Sequence, residues 1–290
     1  MTSTQPVRAG RTAAMVMLLG GDQVAVTPEG RALIARLELS CGIELAHRAT
    51  RDTPAAAQRI RLRKACIRTW MDELARRDPN ITLQLVVPGA GLAPLALDWC
   101  AMHPHCHAIE LDYEQVDAKR ALIDQCAPAA LSKRITCATT DLRAIDATRN
   151  ALVASGWNFA RPALWVFEGL SYYISSDELA ALIRLAFSGS SETKVILEFS
   201  GPRHSLSPAA RADTEAYHQF IAEQLGRNDL EVTDIDALAR SAHAQIERLV
   251  DPSMIEEALA FPRFFLAAGD SAMRMALLAP AQIPSQTHTQ

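Results

Sequence analysis

The sequence predicts an α/β fold: a doubly wound, mostly parallel sheet with N-terminal helices and a helical lid inserted near its end. Three observations carry this. From residue 81 to residue 200, short apolar runs alternate with helix-like segments, the pattern of a parallel sheet with helices on both faces. The first run, Leu83-Gln84-Leu85-Val86-Val87-Pro88, ends in Gly89-Ala90-Gly91-Leu92. A strand, a glycine turn and a helix make a nucleotide cradle, because glycine allows close backbone approach and a helix start offers unpaired N–H groups. Glu110 and Asp112 close the second run about twenty residues past the glycines, where a carboxylate that holds a ribose is expected.

Composition narrows the class. The 290 residues suffice for one large domain with a substantial core. The net charge of −4 gives no basic footprint for nucleic acid. Six cysteines without a CxxC pair read as reduced thiols in a cytoplasmic protein. No apolar run reaches the roughly 18 residues of a membrane helix, so no membrane partner is expected. Arg8 and Arg11 before the apolar Ala13–Leu19 have the order of a signal peptide, but that core is short and Gly20-Gly21-Asp22 is a poor cleavage site.

In order along the chain, residues 1–12 read as a frayed polar arm. Thr27-Pro28-Glu29 is a helix start, with threonine as cap and proline in the first turn. Residues 32–45 carry helical spacing. Residues 54–76 form an amphipathic helix whose basic face holds Arg59, Arg61, Arg63 and Lys64. That face reads either as solvated or as the source of one cation for an anionic group near the glycine turn. The alternating region then gives strands at 83–89, 106–112, 134–140, 163–168 and 194–200, with helices at 92–102, 115–125, 145–155 and 177–187, the last capped by Ser175 or Ser176. Ligands of such sheets sit at the carboxyl ends of the strands, which selects Gly89, Asp112, Asp141, Glu168 and Ser200. After Gly201-Pro202 the alternation stops. Helices at 208–225 and 233–241 are expected over the strand ends, and 246–250 and 272–278 supply two final strands. The expected layout is one domain: a helical cap (1–80), a cofactor-binding core (81–200), a helical lid (201–245), and final strands with a disordered tail (246–290).

Several clusters bear on chemistry. Asp141-Leu142-Arg143 can offer a carboxylate and a backbone N–H to an adenine, or simply cap a helix. Glu168 directly follows Leu164-Trp165-Val166-Phe167 and must sit at the strand mouth, since a buried unpaired carboxylate is costly. Gly169 turns the chain, and Tyr172 and Tyr173 offer rings and hydroxyls. His103-Pro104-His105-Cys106-His107 has metal-type side chains but no second ligand group nearby, so it reads as a surface turn and no metal is expected. His204, His218 and His243 in the lid region could each act as a base, and each also fits ordinary surface or packing.

Taken together, these motifs resemble the S-adenosylmethionine-dependent methyltransferases of the leucine carboxyl methyltransferase family, over about residues 60–200. Val86–Leu92 resembles the family's first motif. Ile109-Glu110-Leu111-Asp112 with Lys119, Asp141-Leu142-Arg143, and Pro162–Leu170 through Tyr173-Ile174 resemble the next three, in order. The resemblance implies a Rossmann-like class I methyltransferase fold and S-adenosylmethionine as cofactor. It implies that Gly89 and Gly91 border the methionine portion and that Asp112, with Glu110 nearby, holds the ribose. Asp141 and Leu142 would hold the adenine, Glu168 would face the methionine amino group, and Tyr173 would line the site. An arginine of the preceding helix contacts the methionine carboxylate in the family; Arg63 is the choice, with Arg61 and Arg59 as alternatives. Ala93-Pro94-Leu95 stand where bacterial members carry Asp-Thr-Arg, and Ser171-Tyr172 replace apolar residues.

The expected activity is O-methylation of a carboxylate, or of a hydroxyl, on a small molecule or peptide. A carboxylate needs no base; a hydroxyl needs one, for which His204, His218 and Tyr173 are the candidates. These enzymes often pair, which allows a homodimer. Two rivals stand beside this reading. A nicotinamide-dependent oxidoreductase would share the glycine turn, but Pro94 occupies the third fingerprint position. A methyltransferase-like protein that binds without turnover would keep the fold and lose the chemistry.

Overall fold

The computed structural model describes residues 6–78, 80, 84–228 and 230–281. The expectations for residues 1–5, for the strand start at 81–83 and for the tail at 282–290 lie outside the described residues. The elements run β1 (Val7–Arg8), α1 (Arg11–Gly20), α2 (Pro28–Ile34), β2 (Leu37–Glu38), α3 (Ile43–Asp52), α4 (Ala56–Arg77), β3 (Gln84–Pro88), α5 (Leu95–Met102), β4 (His107–Asp112), α6 (Val116–Cys126) and α7 (Ala129–Ser132). They continue with β5 (Ile135–Thr139), α8 (Ile145–Ala154), β6 (Leu164–Phe167), α9 (Ser176–Ala186), β7 (Lys194–Ser200), α10 (Pro208–Leu225), α11 (Ile235–Ser241), β8 (Ala244–Val250), α12 (Pro252–Ala258) and β9 (Met273–Pro280).

The main sheet has seven strands in the order β5-β4-β3-β6-β7-β9-β8. The first five are mutually parallel, while β9 runs antiparallel to both β7 and β8. Chain order reverses direction between β3 and β6, so their carboxyl ends open a crevice, the usual ligand position of such sheets. The period-2 alternation of strands sorts side chains into two cores. Leu85, Val87, Val166 and Ile196 pack on one face with Leu62, Trp70 and Met71 of α4 and Trp99 of α5. Val86, Trp165, Phe167 and Leu197 pack on the other with Leu179, Leu182 and Ile183 of α9. Burying each such large side chain stabilises the fold by about 1.5–3 kcal/mol.

Local signals set several boundaries. Thr27 Oγ1 accepts from Gly30 N at 3.0 Å and Pro28 opens α2. Ser175 and Glu178 form a reciprocal capping box on α9. Pro94 occupies the position before α5, so that helix starts at Leu95 and not at Leu92.

Three expectations are corrected. The helical spacing over 32–45 is interrupted, because Leu37–Glu38 pairs in parallel with Val7–Arg8. At Gly42 a Cβ would lie 2.5 Å from Met15 N, so α1 crosses there at glycine contact distance. The arm is likewise structured from Val7 onward, and the apolar stretch after it is helix α1, with Ala14 and Met15 fully buried. Finally, α11 is no lid: Ile235 and Leu238 pack into the α9 core, away from the strand mouths.

Candidate active site

The glycine turn after β3 is built from left-handed backbone, with φ of +67° at Gly89 and +51° at Gly91. Those angles favour glycine. A Cβ on Gly91 would meet nothing within 4 Å, so this face of the turn fronts open space. Gly89 N donates to Leu111 O at 2.7 Å, and Gly91 N donates to Asp112 Oδ2 at 2.6 Å. Beneath the turn the Lys119 ammonium donates to Gly91 O (3.0 Å) and Ala93 O (2.6 Å) and pairs with Glu110 Oε2 at 3.0 Å. Lys119 and Glu110 are 2% and 3% exposed. Glu110 is therefore corrected from a ligand contact to a buried partner of the lysine that clamps the turn. Burial pushes its carboxyl pKa up, while Lys119 pulls in the opposite direction.

The turn faces a group of buried charges. The basic face of α4 is largely not solvated: Arg59, Arg63 and Lys64 are buried, because acidic residues meet them from other elements. Glu168, at the end of β6, accepts from Arg63 Nε at 3.2 Å and Lys64 Nζ at 2.7 Å. Burial alone would raise the Glu168 pKa, but the charges of Lys64 and Arg63 outweigh it and hold the carboxyl at about 2. Burial opposes the charge on Arg63, and Glu198 and Glu168 more than restore it. Lys64 is lowered, chiefly by burial.

Sequence reasoning missed Glu198, which is 1% exposed in the middle of β7. It accepts from Gly169 N at 2.9 Å and from the Tyr172 hydroxyl, and lies 3.6 Å from Arg63 Nη1. The signal was present: a lone carboxylate in the apolar run Val195–Phe199 needs a buried partner, just as Glu168 does.

These groups enclose a cavity of about 200 Å³ at the mouths of β3 and β6. Arg63, Gly89, Gly91, Glu168 and Tyr173 all line it. So do Lys64, Tyr172, the α1 side chains Met15, Val16 and Met17, and Tyr217 and Ile221 of α10. Helix α10 is the one expected over the strand ends, and its Tyr217 and Ile221 wall the cavity. The role of α1 did not show in the sequence, since an apolar stripe that walls a site reads the same as one that fills a core. Burial is the first cause raising the phenols of Tyr172 and Tyr173, the latter to about 12.

The remaining candidates stand outside this lining. Asp112 and Asp141 sit at the ends of β4 and β5. Asp112 Oδ1 accepts from Tyr113 N at 2.7 Å, and Asp141 is bridged by Arg143 Nε and Nη2, both at 2.9 Å. Leu142 is buried in the α9-side core. Of the alternative arginines, Arg61 donates to Leu19 O at 3.3 Å and Arg59 pairs with Asp213, and neither lines the cavity. His204 is exposed in a short turn and does not line the cavity, nor does exposed His243. His218 is buried against Ser200, with Nε2 3.1 Å from its Oγ, and does not reach the cavity either. In the histidine-rich turn His103 stacks on Trp99, with ring centroids 3.7 Å apart. The described residues contain no group of three or more metal-type ligands and no helix long and apolar enough to cross a membrane.

A doubly wound sheet with a glycine turn, strand-end carboxylates and a charged cavity at the strand mouths fits the class I methyltransferase architecture. The leucine carboxyl methyltransferase family model matches residues 23–186, more than half of the chain. The chain belongs to that family and is an S-adenosylmethionine-dependent methyltransferase. No curated protein matches it. Among solved structures, a candidate methyltransferase from Thermobifida fusca aligns with a TM-score of 0.64 at 14% identity, covering 91% of this chain and 97% of that one. A DUF574 family protein from Streptomyces avermitilis aligns at 0.61 and 12%, covering 89% and 99%. At these identities the likeness shows the fold alone. Family membership sets aside the nicotinamide reading.

Proposed function

We propose that the enzyme methylates a carboxylate oxygen on a small molecule or peptide. The observation that carries this is a cavity whose described lining offers no free base: its one lysine, Lys64, already donates to Glu168 at 2.7 Å. No histidine is among its lining residues. Its carboxylate Glu168 is already paired and held at about 2, too weak a base to take a proton from a hydroxyl. The raised phenols of Tyr172 and Tyr173 remain protonated at neutral pH. A carboxylate arrives already ionised and needs none of them.

The residues present fit S-adenosylmethionine. Its methionine end is a zwitterion, and the cavity offers both complements: Glu168 for the amino group, and Arg63, with Lys64 beside it, for the carboxylate. Gly91 leaves open space for close approach of the cofactor, Gly89 borders the cavity beside it, and Tyr173 closes one side. Asp112 would hold the ribose hydroxyls, and Asp141 with Leu142 the adenine. When bound, the cofactor would supply an activated methyl group on a sulfonium, whose leaving group is a neutral thioether, for the acceptor oxygen to take. The protein's own part is alignment and the exclusion of water, for which α1 and α10 form the walls.

The test is calorimetric titration of the full chain with S-adenosylmethionine, S-adenosylhomocysteine, NADH and NADPH, repeated on Asp112→Ala and Asp141→Ala. Micromolar binding of the sulfur nucleotides, lost in both variants, is expected. A panel of carboxylates, phenols and alcohols then reads the acceptor. Turnover of phenols or alcohols with an inert carboxylate set would overturn the carboxyl preference.

A further inference from the structure

Behind the cavity wall lies a second, smaller space of about 20 Å³, room for one water or one small polar group. Arg63, Tyr172 and Tyr217 line both spaces, so the chamber adjoins the cavity across those three side chains. None of the glycine-turn residues lines it.

Its polar lining is incompletely satisfied. His218 is engaged at both ring nitrogens, by Ser200 Oγ at 3.1 Å and Arg203 Nη2 at 3.1 Å. Arg59 Nη1 pairs with Asp213 Oδ2 at 2.5 Å, and its guanidinium lies 4.9 Å from the Tyr217 ring centre. Arg59 Nη2 and Thr214 Oγ1, however, are buried without a hydrogen-bond partner among the described residues. Their side chains belong to residues only 8% and 3% exposed. Thr214 is inside α10, where a threonine hydroxyl commonly donates to a carbonyl one turn back; here it does not. Leaving a buried donor of a charged group unmade is costly, so a partner oxygen belongs there.

We propose that this chamber is an acceptor subsite that takes one uncharged oxygen group, a hydroxyl or carbonyl of the methyl acceptor, on Arg59 Nη2 and Thr214 Oγ1. Water fills it when the acceptor is absent. Charge selects an uncharged group: Arg59 is neutralised by Asp213, Arg63 by Glu168 and Glu198, and Glu198 itself lines the chamber. A second carboxylate would face that buried anion. Of the dividing side chains, Tyr172 is tied to Glu198 and Arg63 to both carboxylates. The Tyr217 ring on α10 is therefore the one an arriving group displaces. The proposal rests on the methyl-transfer reading only for the existence of an acceptor, not for which oxygen is methylated.

The experiment uses the full chain with radiolabelled S-adenosylmethionine and two series of short acceptors, carboxylates and phenols or alcohols. In each, one added hydroxyl or keto group is moved along the chain and compared with the unsubstituted parent. At one spacing the added oxygen should raise kcat/KM by about tenfold or more, the scale of a hydrogen bond from a charged donor. That ratio should collapse toward one in Thr214→Val, which keeps the shape, and in Arg59→Lys, which keeps a cation for Asp213 and removes Nη2. Thermal melting checks that both variants fold. A crystal structure of the full chain should show a water bonded to Arg59 Nη2 and Thr214 Oγ1. No spacing-dependent gain, a gain that survives both variants, or an empty chamber overturns the subsite. An inert carboxylate series beside an active phenol or alcohol series overturns only the carboxyl preference. If neither series turns over, the crystal structure alone decides: the bridging water supports the subsite and an empty chamber overturns it.

Discussion

At the mouths of β3 and β6 the charged groups are buried and held by partners more than a hundred residues away in sequence. At the mouths of β4 and β5 the carboxylates reach the surface and are held largely by their own turns. Arg63 and Glu168 have side chains only 10% and 12% exposed, whereas Arg143 and Asp141 are 58% and 39% exposed. The first half pays a desolvation cost and recovers it only because α4, β6 and β7 bring opposite charges within reach. The second half gives up little on folding, since exposed pairs contribute about 0–1 kcal/mol. One half of the site is thus preformed by tertiary packing and the other is made by local turns. Variants should affect stability and affinity together in the first and affinity alone in the second.

The largest expected effect falls on the clamp between the halves. Lys119→Met leaves Glu110 buried and unpaired and takes a donor from Gly91 O and Ala93 O. Urea unfolding at pH 7 should show a loss of about 3–5 kcal/mol, as for other broken buried pairs. The deficit should narrow at lower pH, because a protonated Glu110 needs no cation, and Glu110→Gln added to the same chain should recover much of it. A loss under about 1 kcal/mol would mean that the turn does not lean on this pair.

Next comes Glu168→Gln. Affinity for S-adenosylmethionine should fall at least about tenfold, since the charge proposed to face the amino group is gone. Stability should fall too, with a distinctive pH dependence. The folded carboxyl titrates at about 2 against an ordinary value of 4.5. As the pH falls, protons therefore bind the unfolded chain first. The wild-type advantage, at most about 3 kcal/mol, is complete above pH 4.5 and disappears as the pH drops through 2. An advantage that does not change between pH 6 and pH 2.5 would show that Glu168 is not held ionised by Arg63 and Lys64.

The same contrast explains what is legible in the sequence. Strand ends carry local signals, so Gly89, Gly91, Asp112, Asp141 and Glu168 stand out from the residue pattern alone. The five parallel strands are legible because their runs of four to seven residues alternate regularly with helix-like segments and leave few alternatives. Tertiary partnership is not written locally. The inward turn of Arg59, Arg63 and Lys64 depends on carboxylates from β6 and α10, and a basic helix face with unknown neighbours resembles a solvated one. Glu110 and Asp112 both sit in one short run, two residues apart, yet one is internal and the other part-exposed, because Lys119 approaches only the first. Helix α1 is hidden for a related reason: ten residues that are apolar on most sides have no periodic face to mark them.

The smallest expected effect lies at Arg143, and it probes the open half most directly. Its guanidinium holds both oxygens of Asp141 at 2.9 Å. The role proposed for Asp141, accepting from an adenine amino group, competes with that pairing for the same carboxylate. Arg143→Ala should leave the melting temperature unchanged within about 1 °C, as expected for an exposed pair. It should also strengthen S-adenosylmethionine binding by about twofold, because the carboxylate no longer has to release a partner. Titration calorimetry on the variant and on Asp141→Ala separates the alternatives. Tighter binding in the first and weaker binding in the second place the adenine at Asp141. Weaker binding in both would make Arg143 itself a contact and move the adenine outward along the exposed turn.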